Sequence, residues 1–194
     1  LYAPGHFDLA GTIVGVVEED EALHGDAVVP GDLLLGYAST GLHTNGYTLA
    51  RKIAAQDLGL GVGDLWPGLG MTVADAFLAV HRSYARAVTP VLPRLHALAH
   101  ITGGGIPGNL VRVLPKGCKA VVDPGTWEWP PLFRLLQEGG KVTTDEMRDV
   151  FNLGVGLIAV LPEDAVAAAQ AAAKADGVAT WVMGRIEAGS HGVR

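Results

Sequence analysis

Cysteine is almost missing from this 194-residue chain. Cys118 is its single thiol, which excludes an internal disulfide and a cysteine-rich zinc site. Positive charge is also scarce: 14 Lys and Arg stand against 20 Asp and Glu, a net charge of −6. A nucleic-acid or anionic-membrane surface needs clustered cations, so neither partner is expected, although a small phosphorylated ligand needs only a few donors. No apolar run approaches the roughly 18 residues of a membrane-spanning helix, and the opening residues do not read as a signal peptide. The expected location is the cytoplasm. Metal-ligand spacing is absent too. His6, His24, His81, His96, His100 and His191 form no H-E-x-x-H or similar pattern, so no metal site is expected. Ser39, Ser83 and Ser190 lack the G-x-S-x-G setting of a nucleophile.

What is present is enough to build a core. Apolar residues make up 49% and charged residues 18%, which suits one full domain with room for part of a second. The abrupt opening at Leu1 and the uncapped end at Arg194 suggest a piece of a longer protein.

Strand-like and helix-like segments alternate. The β-branched Thr12 to Val17 and the apolar Asp32 to Ala38 read as strands, separated by an acidic, turn-rich connector. A helix is expected from Thr44 or Asn45, with Tyr47, Ala50, Ile53, Ala54 and Leu58 on one face. Thr72 is placed to cap a longer helix running to Val88. Lys119 to Val122 reads as a strand. Helices follow at "PPLFRLLQEGG" and "TTDEMRDVF", then the strand "GVGLIAVLP", the alanine-rich helix "EDAVAAAQAAAKAD" and the strand "TWVMGRI". The alternation predicts an α/β layered domain.

Three segments carry candidate chemistry. In "GLHTNGY", Gly41 and Gly46 bracket His43, Thr44 and Asn45 at a strand-to-helix junction. Unsatisfied N–H groups there suit an anion, and His43 can exchange a proton near neutral pH. The plain alternative is a capped helix start beside a turn histidine. "TGGG" at Thr102 to Gly105 reads either as an anion nest or as a connector. In "TTDEMRDVFNLGVG", Thr143 and Glu146 have capping-box spacing, Met147 and Phe151 have core spacing, and Asn152 reads as a turn residue.

Five stretches occur in order: "HFDLAG", "GDLLLGYASTGLHTNGYTLARKI", "AHITGGGIPGNLVRVLP", "TWEWPPLFRLLQ" and "EMRDVFNLGVGLIAVLP". Together they resemble the phosphoribosylformylglycinamidine cyclo-ligase (aminoimidazole ribonucleotide synthetase) family, over nearly the whole chain. The resemblance implies a three-layer α/β/α mixed-sheet domain. Residues 31–194 would be the family's C-terminal domain, and 1–30 the tail of a nucleotide-binding domain whose remainder lies upstream. It implies ATP-dependent closure of formylglycinamidine ribonucleotide to aminoimidazole ribonucleotide in purine biosynthesis, by a homodimer using ATP and Mg²⁺ held mainly by the upstream part. A piece lacking that part is expected to be inactive alone.

The same resemblance makes His43 the catalytic candidate. It makes Gly41, Asn45, Gly46, Thr102, Gly103, Gly104, Gly105, Glu146 and Asn152 candidates for binding the phosphorylated substrate. Where the family usually reads "PTRIY", this chain has "VHRSY" from Val80 to Tyr84, which alters any contact made there. A non-catalytic binding or assembly module, and a superfamily enzyme acting on another small molecule, are the alternatives.

Overall fold

The most apolar stretches become the middle of a sheet. A computed structural model describes residues 4–194; residues 1–3 of the expected upstream-domain tail lie outside the described residues. Strand β1 (Leu33–Ala38) lies between β4 (Val155–Leu161) and β5 (Thr180–Ala188), antiparallel to both. Strand β2 (Ala97–His100) pairs with β4, and β3 (Cys118–Val122) with β5. The short β6 (Gly192–Val193) runs parallel to β3 and makes the sheet mixed, in the order β2-β4-β1-β5-β3-β6. All seven residues of β4 are buried, because helices cover both faces of the sheet.

The two faces separate by side-chain alternation. Leu34, Ile158, Val160, Met183 and Ile186 point to one side, where helix α4 (Gly105–Leu110) supplies Ile106 and Leu110. Leu35, Tyr37, Leu157 and Leu161 point to the other, against α3 (Ala85–Val88) and α7 (Glu163–Ala175). On α7, Ala165, Ala169 and Ala173 recur every fourth residue and are buried, so the small side chains let the helix sit close to the sheet. This is the expected α/β/α layering. A third apolar cluster sits beside it, built by α1 (Tyr47–Lys52), α2 (Val73–Phe77), α5 (Pro131–Gly140) and α6 (Thr144–Val150). Among the described residues no helix is long and apolar enough to cross a membrane.

Three local expectations are corrected. Thr12 to Val17 forms no strand; the segment has no regular structure, with Ile13 and Val16 almost fully exposed. β-Propensity holds a strand only against a pairing partner, and no described strand pairs with this one. Helix α1 starts after Gly46 rather than at Thr44 or Asn45, and passes into a wider π-type turn over Ile53–Asp57 that leaves Leu58 partly exposed. The helix that Thr72 and Asp75 cap with a complete capping box ends at Phe77. Residues 78–84 leave helical geometry and cross the end of β1, where the Thr40 hydroxyl donates to the Val80 carbonyl at 2.7 Å. A tertiary bond therefore overrides the local helical pattern.

At the start of β1, the buried Asp32 carboxylate accepts from His96 Nδ1 at 2.7 Å and from the Val29 N–H at 2.9 Å. Both bonds are internal to the fold.

The alanine face of α7 yields a direct test. Ala169→Leu should lower stability by about 1–3 kcal/mol through overpacking. Ala171→Leu, on the exposed side of the same helix, should stay within about 0.5 kcal/mol of the parent in urea denaturation.

Candidate functional site

A β-bulge prepares the site. In the β1–β4 ladder Tyr37 pairs with Leu157 and Ala38 with Val155, so Gly156 is the extra residue. A Cβ at Gly156 would collide with the Tyr84 hydroxyl and with Cε1 of His43. Glycine is thus what allows the "GLHTNGY" loop to settle on the bulged end of the sheet. The Tyr84 hydroxyl donates to the Ala38 carbonyl at 2.9 Å, and burial pushes its pKa up, so the phenol keeps its proton.

His43 is 6% exposed and holds φ of 58°, a left-handed conformation that non-glycine residues rarely adopt and that clusters at functional sites. Its Nε2 accepts the Thr40 backbone N–H at 3.1 Å. The Thr40 hydroxyl hydrogen goes to Val80, so the 3.2 Å contact between Thr40 Oγ1 and Nε2 carries no hydrogen. In the neutral ring the proton therefore belongs on Nδ1, which is buried and has no hydrogen-bond partner among the described residues. Burial pushes the His43 pKa down from 6.5 to about 4, and the neighbouring His81, His100 and Arg82 push the same way.

His81 lies flat on His43, ring centroids 3.9 Å apart, and its Nε2 is 3.2 Å from Nε2 of His100. Linear spacing gave no sign of this trio, because the three rings come from the β1–α1 loop, the segment crossing it and the end of β2.

The end of α6 and the turn that follows it (residues 148–154) anchor both candidate loops. The Asn152 carboxamide donates to the Gly41 carbonyl at 2.9 Å and the Leu42 carbonyl at 3.2 Å. It accepts from the Ser39 hydroxyl at 3.0 Å and from the Gly154 N–H at 2.9 Å. Gly46, at φ 84°, lies so close to Phe151 that a Cβ would enter the ring. From the other loop, Gly104 donates its N–H to the Asp149 carbonyl at 2.9 Å, and a Cβ on Gly105 would strike the Arg148 carbonyl. The Gly105 N–H goes to the Thr102 carbonyl at 3.1 Å. Two of the three glycine amides thus hold the loop together rather than pointing outward.

The loops meet at Asn45 and Gly103: a Cβ on Gly103 would come within 3.1 Å of Asn45 Nδ2. Beneath Gly103, the buried Asn109 accepts the Thr102 hydroxyl and donates to the Thr102, Gly103 and Gly105 carbonyls. The sequence offered no reason to single it out. Glu146 is exposed; its backbone N–H donates to Thr143 Oγ1 at 3.2 Å, without the return bond of a full capping box. A cleft of about 440 Å³ opens beside the His43 loop, lined by Ser39, Thr40, Gly41, Asp75, Ala79 and Phe133 among others.

Two outcomes follow from this geometry. Gly46→Ala and Gly105→Ala should each lower stability by on the order of 3 kcal/mol, from left-handed strain and overpacking together, measured as a shift in the denaturation midpoint. The second concerns pH. The His43 pKa is lowered in the folded state, so the unfolded chain takes up that proton first. The His43 contribution is complete above pH 6.5 and is lost as the pH falls toward about 4. Urea midpoints at pH 7 and pH 5 should differ less in His43→Gln than in the parent.

Residues 29–194 match the family described as "AIR synthase related protein, C-terminal domain". The chain is 46% identical over 190 residues to a phosphoribosylformylglycinamidine cyclo-ligase of Sorangium cellulosum, covering 96% of this chain and 55% of that protein. It is 49% identical over 166 residues to the protein of that name from Geobacter sulfurreducens, covering 84% of this chain and 48% of the other. The chain thus spans about half the length of the curated relatives it matches. Among solved structures, a thiamine-monophosphate kinase from Stenotrophomonas maltophilia superposes with a TM-score of 0.60 at 19% identity, over 92% of this chain and 54% of that one. A hydrogenase maturation protein in complex with ATP gives 0.52 at 18% identity, over 89% and 47%. These two likenesses bear on the fold alone. With 166 of its 194 residues matched by the family and nearly half of its positions shared with the two relatives, the chain belongs to the AIR synthase related family and carries its C-terminal domain.

Proposed function

We propose that this chain is the C-terminal part of a phosphoribosylformylglycinamidine cyclo-ligase. That enzyme closes formylglycinamidine ribonucleotide to aminoimidazole ribonucleotide with ATP, in the cytoplasm and as a homodimer. The observation that carries the reading is the meeting of the His43 loop and the "TGGG" loop at Asn45 and Gly103, both fixed to the turn after α6. Residues 1–30 would be the tail of the nucleotide-binding domain and 31–194 the domain that presents these loops.

In this reading His43 acts as a neutral imidazole. Its Nδ1–H is the hydrogen-bond donor for the formyl oxygen as that oxygen takes up phosphate, and again as phosphate leaves. A preorganised donor aimed at developing charge is the usual source of such stabilisation. The residue's low pKa keeps the ring uncharged at pH 7. Because His81 covers His43, residues 78–84 must swing aside for substrate to reach it. Asn45, Thr102, Gly103 and Gly41 line the substrate, with Glu146 at the rim. Gly46, Gly104, Gly105 and Asn152 act by positioning the two loops.

ATP and its Mg²⁺ would be held mainly by a part of the whole enzyme outside this chain. Mg²⁺ takes oxygen ligands, and the site offers three imidazoles, carboxamides and hydroxyls. The Asp75 carboxylate is already bonded to Thr72. The donor set does not fit Mg²⁺, and no step is assigned to the ion here.

The test uses the intact parent protein, following ATP-dependent formation of aminoimidazole ribonucleotide. His43→Ala should lower kcat by about 10²–10⁴ while the fold, checked by circular dichroism, is kept. The chain from residue 1 to 194 alone should form no product. Unchanged kcat in the variant would return His43 to a structural turn. An inactive intact parent would point to another member of the superfamily.

A further inference from the structure

The trio of histidines has a feature that the proposed cyclisation does not use. His81 Nδ1 lies 2.9 Å from the Arg82 carbonyl, so that nitrogen is the donor and the Nε2 lone pair accepts from Nε2–H of His100. A histidine whose second nitrogen donates to a backbone carbonyl is the usual arrangement of a metal ligand. Nε2 of His100 stands 3.2 Å away. Two nitrogens bound at 2.0–2.1 Å in a tetrahedron lie about 3.3–3.4 Å apart, so the pair already has nearly the spacing of one tetrahedral edge. The third ring, His43, is buried and has an unpartnered nitrogen, Nδ1. Each of the three offers one ring nitrogen, and these lie within 4.8 Å of one another.

We propose that His43, His81 and His100 form a three-nitrogen site for a divalent transition ion of the zinc class. The donor set selects the ion. Imidazoles without a carboxylate suit Zn²⁺, Ni²⁺ or Cu²⁺ and not Mg²⁺ or Ca²⁺. Lone pairs lie in the ring planes, so the His43–His81 stack must open: the half-buried His81 ring and the exposed His100 ring turn toward Nδ1 of His43, and a water completes the tetrahedron. When Nδ1 of His43 takes the ion, the proton it carried moves to Nε2, where the oxygen of Thr40 at 3.2 Å accepts it; the Thr40 N–H bond is given up. The proton on Nε2 of His100 likewise moves to Nδ1 of the same exposed ring, so all three imidazoles bind neutral. The ion would take the same His43 nitrogen that serves as donor in the proposed cyclisation, so an occupied site would block that role, while metal binding itself can be tested without activity. The site also uses His81 and His100, which the proposed cyclisation does not need. An occupied site would hold residues 78–84 down over His43.

The test is a titration of the tag-free chain, stripped with chelator, by Zn²⁺ in a calorimeter, with Co²⁺ as an optical probe. The expected result is one ion per chain, a tetrahedral Co²⁺ spectrum, and affinity lowered at least ~10-fold in each of His81→Ala, His100→Ala and His43→Gln. Circular dichroism and thermal melts in the absence of metal establish that each variant folds; the His100 side chain is exposed, which makes His100→Ala the safest of the three. Absence of saturable binding overturns the proposal. So does binding that survives His81→Ala and His100→Ala, since the ion would then sit at another histidine such as His24 or His191. Affinity unchanged in His43→Gln alone would also overturn the three-ligand site.

Discussion

Four hydrogen bonds converge on the carboxamide of Asn152, and the geometry of the whole site depends on them. A buried amide left without partners would cost a few kcal/mol, so both its donors and its acceptor oxygen must find mates. They find them in the loop after β1, more than a hundred residues earlier in the chain. The same turn receives Gly46 against Phe151 and Gly104 against Asp149. One short segment, the end of α6 and the turn into β4, thereby fixes two loops that have no other reason to lie side by side. Leu153 in that turn holds φ of 52°, as His43 in the loop holds 58°, so a strained residue stands on each side of the junction.

The electrostatics of the site follow from what surrounds His43. Its neighbours are two more imidazoles, a guanidinium, a phenol that burial keeps protonated and a backbone amide, and none of these carries a negative charge. Protonating the ring would place a charge in a dry site beside other groups that bear or gain positive charge. Burial is the larger cause and repulsion adds to it. The His100 pKa is lowered for the same reasons, burial first and His81 second. His43 and His100 are thereby both pushed toward the neutral form.

Much of this was legible in the chain itself. Inner strands β1 and β4 read as continuous apolar runs because both faces are covered, and α5, α6 and α7 carry their own start signals. The loops around His43 and Thr102 stood out by composition and by resemblance. What could not be read depended on distant partners. Residues 78–84 have no local helix breaker, and only the Val80 carbonyl bond to Thr40 shows why the helix stops. Gly46 rather than Thr44 or Asn45 precedes α1 because Phe151 leaves no room for a side chain there. Asn152 reads as an ordinary turn residue, and its bond to the Gly154 N–H is that of one; its other three bonds span the fold. Asn109 looks like any polar residue of a short helix until the carbonyls it gathers are seen. The histidine trio spans three segments, so no spacing rule could find it.

The extra residue in β4 has a consequence for anyone who would move this loop. His43 rests on a glycine that exists only because the ladder slips by one position between Tyr37 and Ala38. Placed on a regular strand pair, the same loop would meet a side chain where Gly156 now leaves space. The loop is therefore not a portable cassette: a graft into another α/β scaffold must carry the slipped pairing, the glycine and the Asn152 turn as one unit.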